Sequence, residues 1–490
     1  MRSIYRARAP SKTTPLLAQH LTSSRRYSTM SPNPVNTASL DAWKTQAFKS
    51  DKNRLAQAAI SRGNFQDMII DRSALNKNIG VFNTQIQLEG TPITYQRSSG
   101  RCWIFASLNV LRIALQQKLK IPSFQFSQTY LFFYDKLEKS NWFLDNVIDT
   151  ADEELDSRLV QELLKEPVND GGQFDMIINL VEKYGLVPLD VFPDSWNSEN
   201  SRNMCYLITE KLREYALTLR ELVKAGKKDE ALAMKADFLQ EIHTILCITL
   251  GTPPAVDEKF TWDFQTRDKV SDDKELEISA KKVETLQLTP KELYELIGID
   301  FKKYFSLIND PRNEYNKRYT VDRLNNVAGG AKAHVDYVNT DISELKKAAI
   351  KAIQNNEAVF FGSDVGKFGD RKSGVLDTQA WDYNLGFNTS MKLNKKQRLQ
   401  TGSSMMTHAM AITAVHLDES GKPVRWRIEN SWGKDNGKDG YYQMSDAWFD
   451  EYVFQVVTTD KYVEPEVLEI LKQEPKVLPL WDPMGALARL

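Results

Sequence analysis

Residues 104–115 are almost wholly apolar or small. An α-helix that is apolar nearly all round has to be buried on every side. A chain that carries one must therefore build a substantial core around it. Cys102 and Trp103 stand at the head of this segment, behind the glycine turn at Gly100. A thiol at a helix N-terminus is favoured as thiolate by the positive end of the helix dipole, and the thiolate is the nucleophilic form. Gln96, six residues upstream across that turn, can aim its amide N–H beside the sulfur. With the backbone N–H of Cys102 it makes a candidate oxyanion hole. The alternative for any cysteine ahead of an apolar helix is a buried, inert thiol. The rest of the chain decides between the two.

A thiolate of this kind needs a base, and the chain has five histidines. His20 lies in the basic N-terminal segment, His243 falls mid-helix among charges, and His334 stands in a loop-like stretch. His408 heads the apolar run Ala409-Met-Ala-Ile-Thr-Ala-Val, at the mouth of a strand. His416 would lie roughly 26 Å further along that strand and cannot share its site. Downstream comes Glu429-Asn430-Ser431-Trp432-Gly433. Its asparagine can hold one imidazole nitrogen so that the other faces the thiol, and Trp432 can shield that hydrogen bond from water. The order Gln96, Cys102, His408, Asn430 selects nucleophilic catalysis over the inert thiol.

Gln96, Gly100, Cys102 and Trp103 match the active-site segment of papain-like cysteine peptidases residue for residue. Ser-Gly-Arg-Cys-Trp, Thr-His-Ala-Met, Glu-Asn-Ser-Trp-Gly and the ending Trp481-Asp-Pro-Met-Gly-Ala-Leu-Ala narrow the likeness. The chain resembles the bleomycin hydrolase and aminopeptidase C family and its fungal members, from about residue 40 to the C-terminus. Where secreted papain-like relatives carry a disulfide, this chain has Ser99 and Asn169-Asp170, as suits a reducing compartment. His408 follows Cys102 by 306 residues, against about 130–150 in papain-type chains. The surplus matches a helical stretch over residues 203–335, where leucines recur at helical spacing among many charges.

The fold class expected is α+β: a papain-like two-lobe cysteine peptidase with a large helical insertion and extended N- and C-terminal arms. The divisions are residues 1–30 as a targeting segment, 31–70 as an N-terminal arm and 71–202 as a helical lobe with the nucleophile. Residues 203–335 form the insertion, 336–465 a strand-rich lobe with His408 and Asn430, and 466–490 a C-terminal arm. Strands are expected at 358–361, 409–417 and 424–429. A helix over 174–184 should end at Gly185, and Thr289-Pro290-Lys-Glu292 should cap another. Residues 475–490 hold three prolines and a glycine and should not be helical, yet Leu478, Leu480, Trp481 and Met484 suit docking on a surface. A chain of 490 residues should in any case form at least two lobes.

The resemblance implies an aminopeptidase acting on peptides and amide-bearing small molecules such as bleomycin, and on homocysteine thiolactone. It implies a homohexamer with contacts through the insertion. It also implies an arm that enters the cleft, with Ala488, Arg489 and Leu490 near the nucleophile. Gly171 and Gly172 would let a substrate backbone approach, though a plain turn explains them as well; Trp432 would line the same site. The reaction calls for no metal and no cofactor, and no His/Cys/Asp cluster has metal-ligand spacing.

Residues 1–30 carry six bases and no acid; the rest of the chain is net −7. With Leu17 and Leu21 one helical turn apart and Arg25-Arg26-Tyr27-Ser28 as a processing site, this segment reads as a mitochondrial transit peptide. A disordered basic tail is the alternative. Met30 offers a second start and hence a cytoplasmic form. The apolar runs 102–115 and 242–250 are too short or interrupted to span a bilayer. The three cysteines, Cys102, Cys205 and Cys247, form neither a disulfide framework nor a zinc site. Cys205 and Cys247 show no partner that would stabilise a thiolate. The lysine-rich stretch 392–398 reads as a solvated face, and Gly362–Lys367 is one residue short of a phosphate loop. The second reading, from a different class, is a nucleic-acid-binding or regulatory protein with a secondary peptidase site. A steep salt dependence of binding would mark it.

Overall fold

A computed structural model describes residues 33–267 and 282–487. The expected targeting segment and the residues Ala488, Arg489 and Leu490 lie outside them. The chain divides into two units, residues 1–61 and 62–490. The first holds α1 (Thr37–Ala47) and α2 (Asp51–Ile60), neither with a buried residue. The Asn36 side chain caps α1 by accepting the Ala38 N–H.

The second unit begins its helical layer with α3 (Cys102–Leu119), α4 (Gln128–Asp149) and α5 (Phe174–Tyr184). Every residue of α3 from Cys102 to Asn109 is buried, as its apolar pattern requires. Ser127 caps α4. Gly185 ends α5 with φ +74°, where a side chain would strike the Pro290 carbonyl group. Then come α6 (Arg202–Lys224) and α7 (Lys228–Leu250), which pack on each other and on α4. Tyr215 of α6 stacks on Phe238 of α7 with centroids 3.8 Å apart. A hairpin of β1 (Phe260–Thr266) and β2 (Lys282–Leu288) follows. Next is the helix Pro290–Ile297, started by the expected Thr289–Glu292 capping box.

The sheet is built from β3 (Tyr304–Ile308), β4 (Lys317–Val321) and β5 (Asp336–Asn339), then, after α8 (Ile342–Gln354), β6 (Val359–Ser363), β7 (His408–Leu417), β8 (Pro423–Glu429), β9 (Tyr441–Ser445), β10 (Val453–Thr459) and β11 (Lys476–Leu478). Its order is β11-β4-β5-β3-β10-β6-β7-β8-β9, continued by the two-residue strands Val375–Leu376 and Gly369–Asp370. Thr84–Gln85 pairs with β7 off this path. One apolar core lies among the helices around Trp103 and Phe132; the other packs α8, Trp426 and Trp448 against the sheet.

Within the expected insertion over 203–335, helices α6 and α7 pack on α4 and share the core of the helical lobe. The expectation that the insert is helical is corrected in its last part: β3 and β4 belong to the central sheet. Both strands are only five residues long, and loops rich in charge and asparagine hide their buried run. The sheet-bearing part thus starts well before residue 336. The stretch 392–398 is largely the solvated face expected, with Lys392 and Lys396 exposed, and is corrected at one residue. Lys395 is buried, and its ammonium donates to the carbonyls of Asp450 at 2.9 Å and Val453 at 2.6 Å. Burial pushes it down to about 7.

The described part of residues 475–490 is not α-helical. It adds β11 to the sheet edge and ends in a single tight turn, Pro483–Gly485. Met484 is buried and Leu478 packs against the core, while Trp481 stays exposed under the Arg158 guanidinium, 4.2 Å away.

Candidate active site

Cys102 is the first residue of α3, and α3 packs against β7, whose first residue is His408. Both side chains are fully buried. β7 pairs with β8 so that Ala411 faces Glu429, which brings Asn430, just past the end of β8, alongside the start of β7. His408 Nε2 lies 2.9 Å from Asn430 Oδ1. The same oxygen accepts the Ser431 backbone N–H at 2.8 Å, which fixes the amide with its oxygen toward the ring. Nε2 is therefore the donor, and Nδ1, buried and without a hydrogen-bond partner among the described residues, keeps its lone pair. Trp432 covers the ring at a centroid distance of 4.8 Å. Burial pushes the imidazole down to about 4; the Asn430 hydrogen bond opposes this and the Arg371 charge adds to it. The ring is thus neutral near pH 7 and able to accept a proton.

Gln96 is buried, and its amide is clamped at both ends. Nε2 donates to Ser99 O at 2.7 Å, and Oε1 accepts from Ser431 Oγ at 2.7 Å. The Gln96 N–H also bonds Ser431 O at 2.9 Å, so the glutamine loop is stitched to the Asn430 loop.

At the place of the missing disulfide, hydrogen bonds join the same two segments. Asp170 accepts the Gly100 N–H at 2.9 Å, pairs with Lys136 at 2.7 Å and accepts from Ser201 Oγ. Trp103 Nε1 donates to Asp170 O at 2.6 Å. Burial alone would raise the Asp170 carboxyl, but the Lys136 charge and these hydrogen bonds hold it far below the usual carboxylate range. Arg101 is wholly buried, binding Ser99 Oγ at 2.9 Å and Asp194 at 2.8 Å.

Sequence reasoning put Asp170 at the place of the missing disulfide without seeing its role, and it missed Lys136 and Arg101. It also missed the buried pair Arg112–Glu429, at 2.5 Å, which ties α3 to the residue before Asn430. The one available signal for that pair was an arginine inside an otherwise apolar helix.

Gly171 and Gly172 are both buried. A Cβ on Gly172 would lie 2.4 Å from the Trp103 ring, so packing already requires glycine there. Gly171 O accepts from Lys139 Nζ at 2.5 Å. Beside them, Gln173 Nε2 donates to Ala486 O at 2.9 Å, holding the C-terminal arm against this segment. Tyr337 OH donates to Met484 O at 3.1 Å, and Arg312 bridges Asp310 and Asp482, each at 2.7 Å.

The other two cysteines have neighbours that the sequence did not reveal. Cys205 donates its thiol to Asp170 at 3.1 Å, and burial pushes it up to about 12. Cys247 sits 3.7 Å from His243 Nδ1, one helical turn away.

A family model described as Peptidase C1-like matches residues 34–485. The chain belongs to the Peptidase C1-like family. Cysteine proteinase 1, mitochondrial, of Saccharomyces cerevisiae is 42% identical over 467 residues, 93% of each chain. Bleomycin hydrolase of Homo sapiens is 43% identical over 472 residues, 94% of this chain and 100% of that one. The crystal structure of PepW from Lactobacillus rhamnosis is 39% identical, with a TM-score of 0.87 over 93% of this chain and 100% of that chain. As a Peptidase C1-like protein the chain is a cysteine-type peptidase with the papain-like α+β fold. Among the described residues no group of His, Cys, Asp and Glu could hold a metal ion, and no helix is long and apolar enough to cross a membrane.

Proposed function

We propose that this chain is a cysteine aminopeptidase that cleaves peptide and other amide bonds through a thioester on Cys102. The observation that carries the reading is the His408 Nε2···Asn430 Oδ1 bond, which leaves a buried Nδ1 with its lone pair open on the strand that packs against the Cys102 helix. Nδ1 takes the thiol proton, the thiolate attacks the carbonyl carbon, and the C–N bond breaks as Nδ1 returns the proton to the amine. Gln96 Nε2 and the Cys102 N–H stabilise the oxyanion. Water, deprotonated by Nδ1, then hydrolyses the thioester and frees Cys102.

The restriction to free N-termini would come from the C-terminal arm. Supporting this, Gln173, Tyr337 and Arg312 seat residues 482–486 beside the Gly171-Gly172 segment. On this reading the carboxylate that meets the substrate's ammonium group would come from Ala488, Arg489 and Leu490, which lie outside the described residues. Bleomycin-type amides are proposed substrates because the human relative is named for that hydrolysis. Homocysteine thiolactone, whose ring ester the same thiolate would open, is a further one. A homohexamer is supported by Tyr206, Leu217 and Ile248, exposed on α6 and α7. A mitochondrial form is supported by the acid-free basic segment 1–30 and by the yeast relative's name, and a second start at Met30 would give a cytoplasmic form beside it.

Cys102→Ser tests the reading. Its hydroxyl is close in size but scarcely ionised, so the protein should fold and lose peptidase activity. Retention of a tenth of wild-type turnover would contradict it.

A further inference from the structure

Trp432 and Gln96 line an open pocket of about 470 Å³ together with three arginines, Arg97, Arg202 and Arg371. No described residue of the C-terminal arm lines it. On the reading above, the arm takes the amino end of the substrate, and His408 protonates the amine that leaves. Trp432 lies against the His408 ring and also lines this pocket, which puts the pocket next to the base that protonates the departing amine.

The pocket is electropositive for reasons that can be followed group by group. Arg97 is partly offset by Glu199, 3.4 Å away. Asp170 also lines the pocket, but Lys136, Ser201 and the Gly100 N–H already occupy its carboxylate. Arg371 lies over Trp432, 4.6 Å from the ring centroid, and forms no ion pair among the described residues. The Arg202 guanidinium has neither an ion pair nor a hydrogen bond among the described residues, and it stands on the first turn of α6, whose dipole adds positive potential. Two guanidinium groups without an ion pair among the described residues therefore line the pocket beside Trp432. Such a group matches a carboxylate in charge and in its paired donors.

We propose that this pocket receives a carboxylate on the leaving group, so that the enzyme prefers substrates whose departing amine carries an acidic side chain or a free terminal carboxylate. The inference rests on the peptidase reading above and names a substrate class for it.

The test uses two matched pairs on the full chain: Ala-Glu-amide against Ala-Gln-amide, and Ala-Ala against Ala-Ala-amide, with loss of the intact substrate followed in each. The first pair reads a side-chain carboxylate and the second a terminal one. The charged member of at least one pair should be favoured about fivefold in kcat/KM, chiefly through KM, as expected for solvent-accessible ion pairs. The preference should shrink as salt screens it. Arg202→Gln and Arg371→Gln should each bring the ratio toward one, and the ratio within a pair is the readout rather than the rate. Ratios near one in both pairs for the wild type would overturn the inference while leaving the peptidase reading intact. So would a preference that survives in both variants. Loss of none of the four substrates would overturn both.

Discussion

At the scale of single residues, the site depends on side chains held at both ends. Gln96 is fixed by Ser99 O and Ser431 Oγ, so its amide meets a developing oxyanion without reorganising. Gln96→Ala should lower turnover ~10²-fold or more with little change in KM, because the contact strengthens only as the oxyanion forms. An unchanged kcat would remove Gln96 from that role. The identities of Cys102, His408, Asn430 and Gln96 were legible in the sequence because each sits in a short motif whose chemistry demands that residue type. The role of Asp170 was not. A carboxylate that replaces a disulfide by binding a backbone N–H, a lysine and a serine draws its partners from residues 100, 136 and 201, and no local pattern announces such a meeting.

At the scale of elements, α3, β7 and β8 were readable because a long apolar run and the strand patterning leave little choice of structure. β3 and β4 were missed because five-residue strands between polar loops have too few periods to stand out. What holds α3 to β8 is equally non-local. Arg112 and Glu429 are both buried, and Arg112 also donates to Pro92 O and Gly90 O, each at 2.7 Å. Removing Arg112 leaves the buried Glu429 carboxyl, already raised to about 7 by burial, without its partner, along with the Pro92 and Gly90 carbonyls. Arg112→Ala should therefore destabilise the protein by ~3–5 kcal/mol, read as a lowered unfolding midpoint. Replacing both partners together, Arg112→Met with Glu429→Gln, should cost less than Arg112→Ala alone. A loss below about 1 kcal/mol for Arg112→Ala, in the range of a surface pair, would show that the bridge does not join the two elements.

For the whole molecule, the α+β class followed from helices early in the chain and strands late in it. The extent of the sheet did not, because it recruits strands from residues 304–308, 317–321 and 476–478. Periodicity reports an element's burial, not its partner. The C-terminal arm spans these scales, entering as β11 and seated by Arg312, Tyr337 and Gln173. Deleting residues 484–490 should weaken the preference for free N-termini and allow internal cleavage of N-acetylated peptides. A truncated enzyme that rejected those peptides as strongly as the full chain would show that the arm does not set the register.

The central claim, one activated thiol per chain, is tested most directly by alkylation. Iodoacetamide at mildly acidic pH, followed by peptide mapping and activity, compares all three cysteines in one molecule. Cys102 should be labelled first, with activity lost in step at one equivalent per chain, while Cys205, pushed up to about 12 by burial, stays unmodified. Equal labelling of Cys102, Cys205 and Cys247, or full activity after Cys102 is alkylated, would contradict the account.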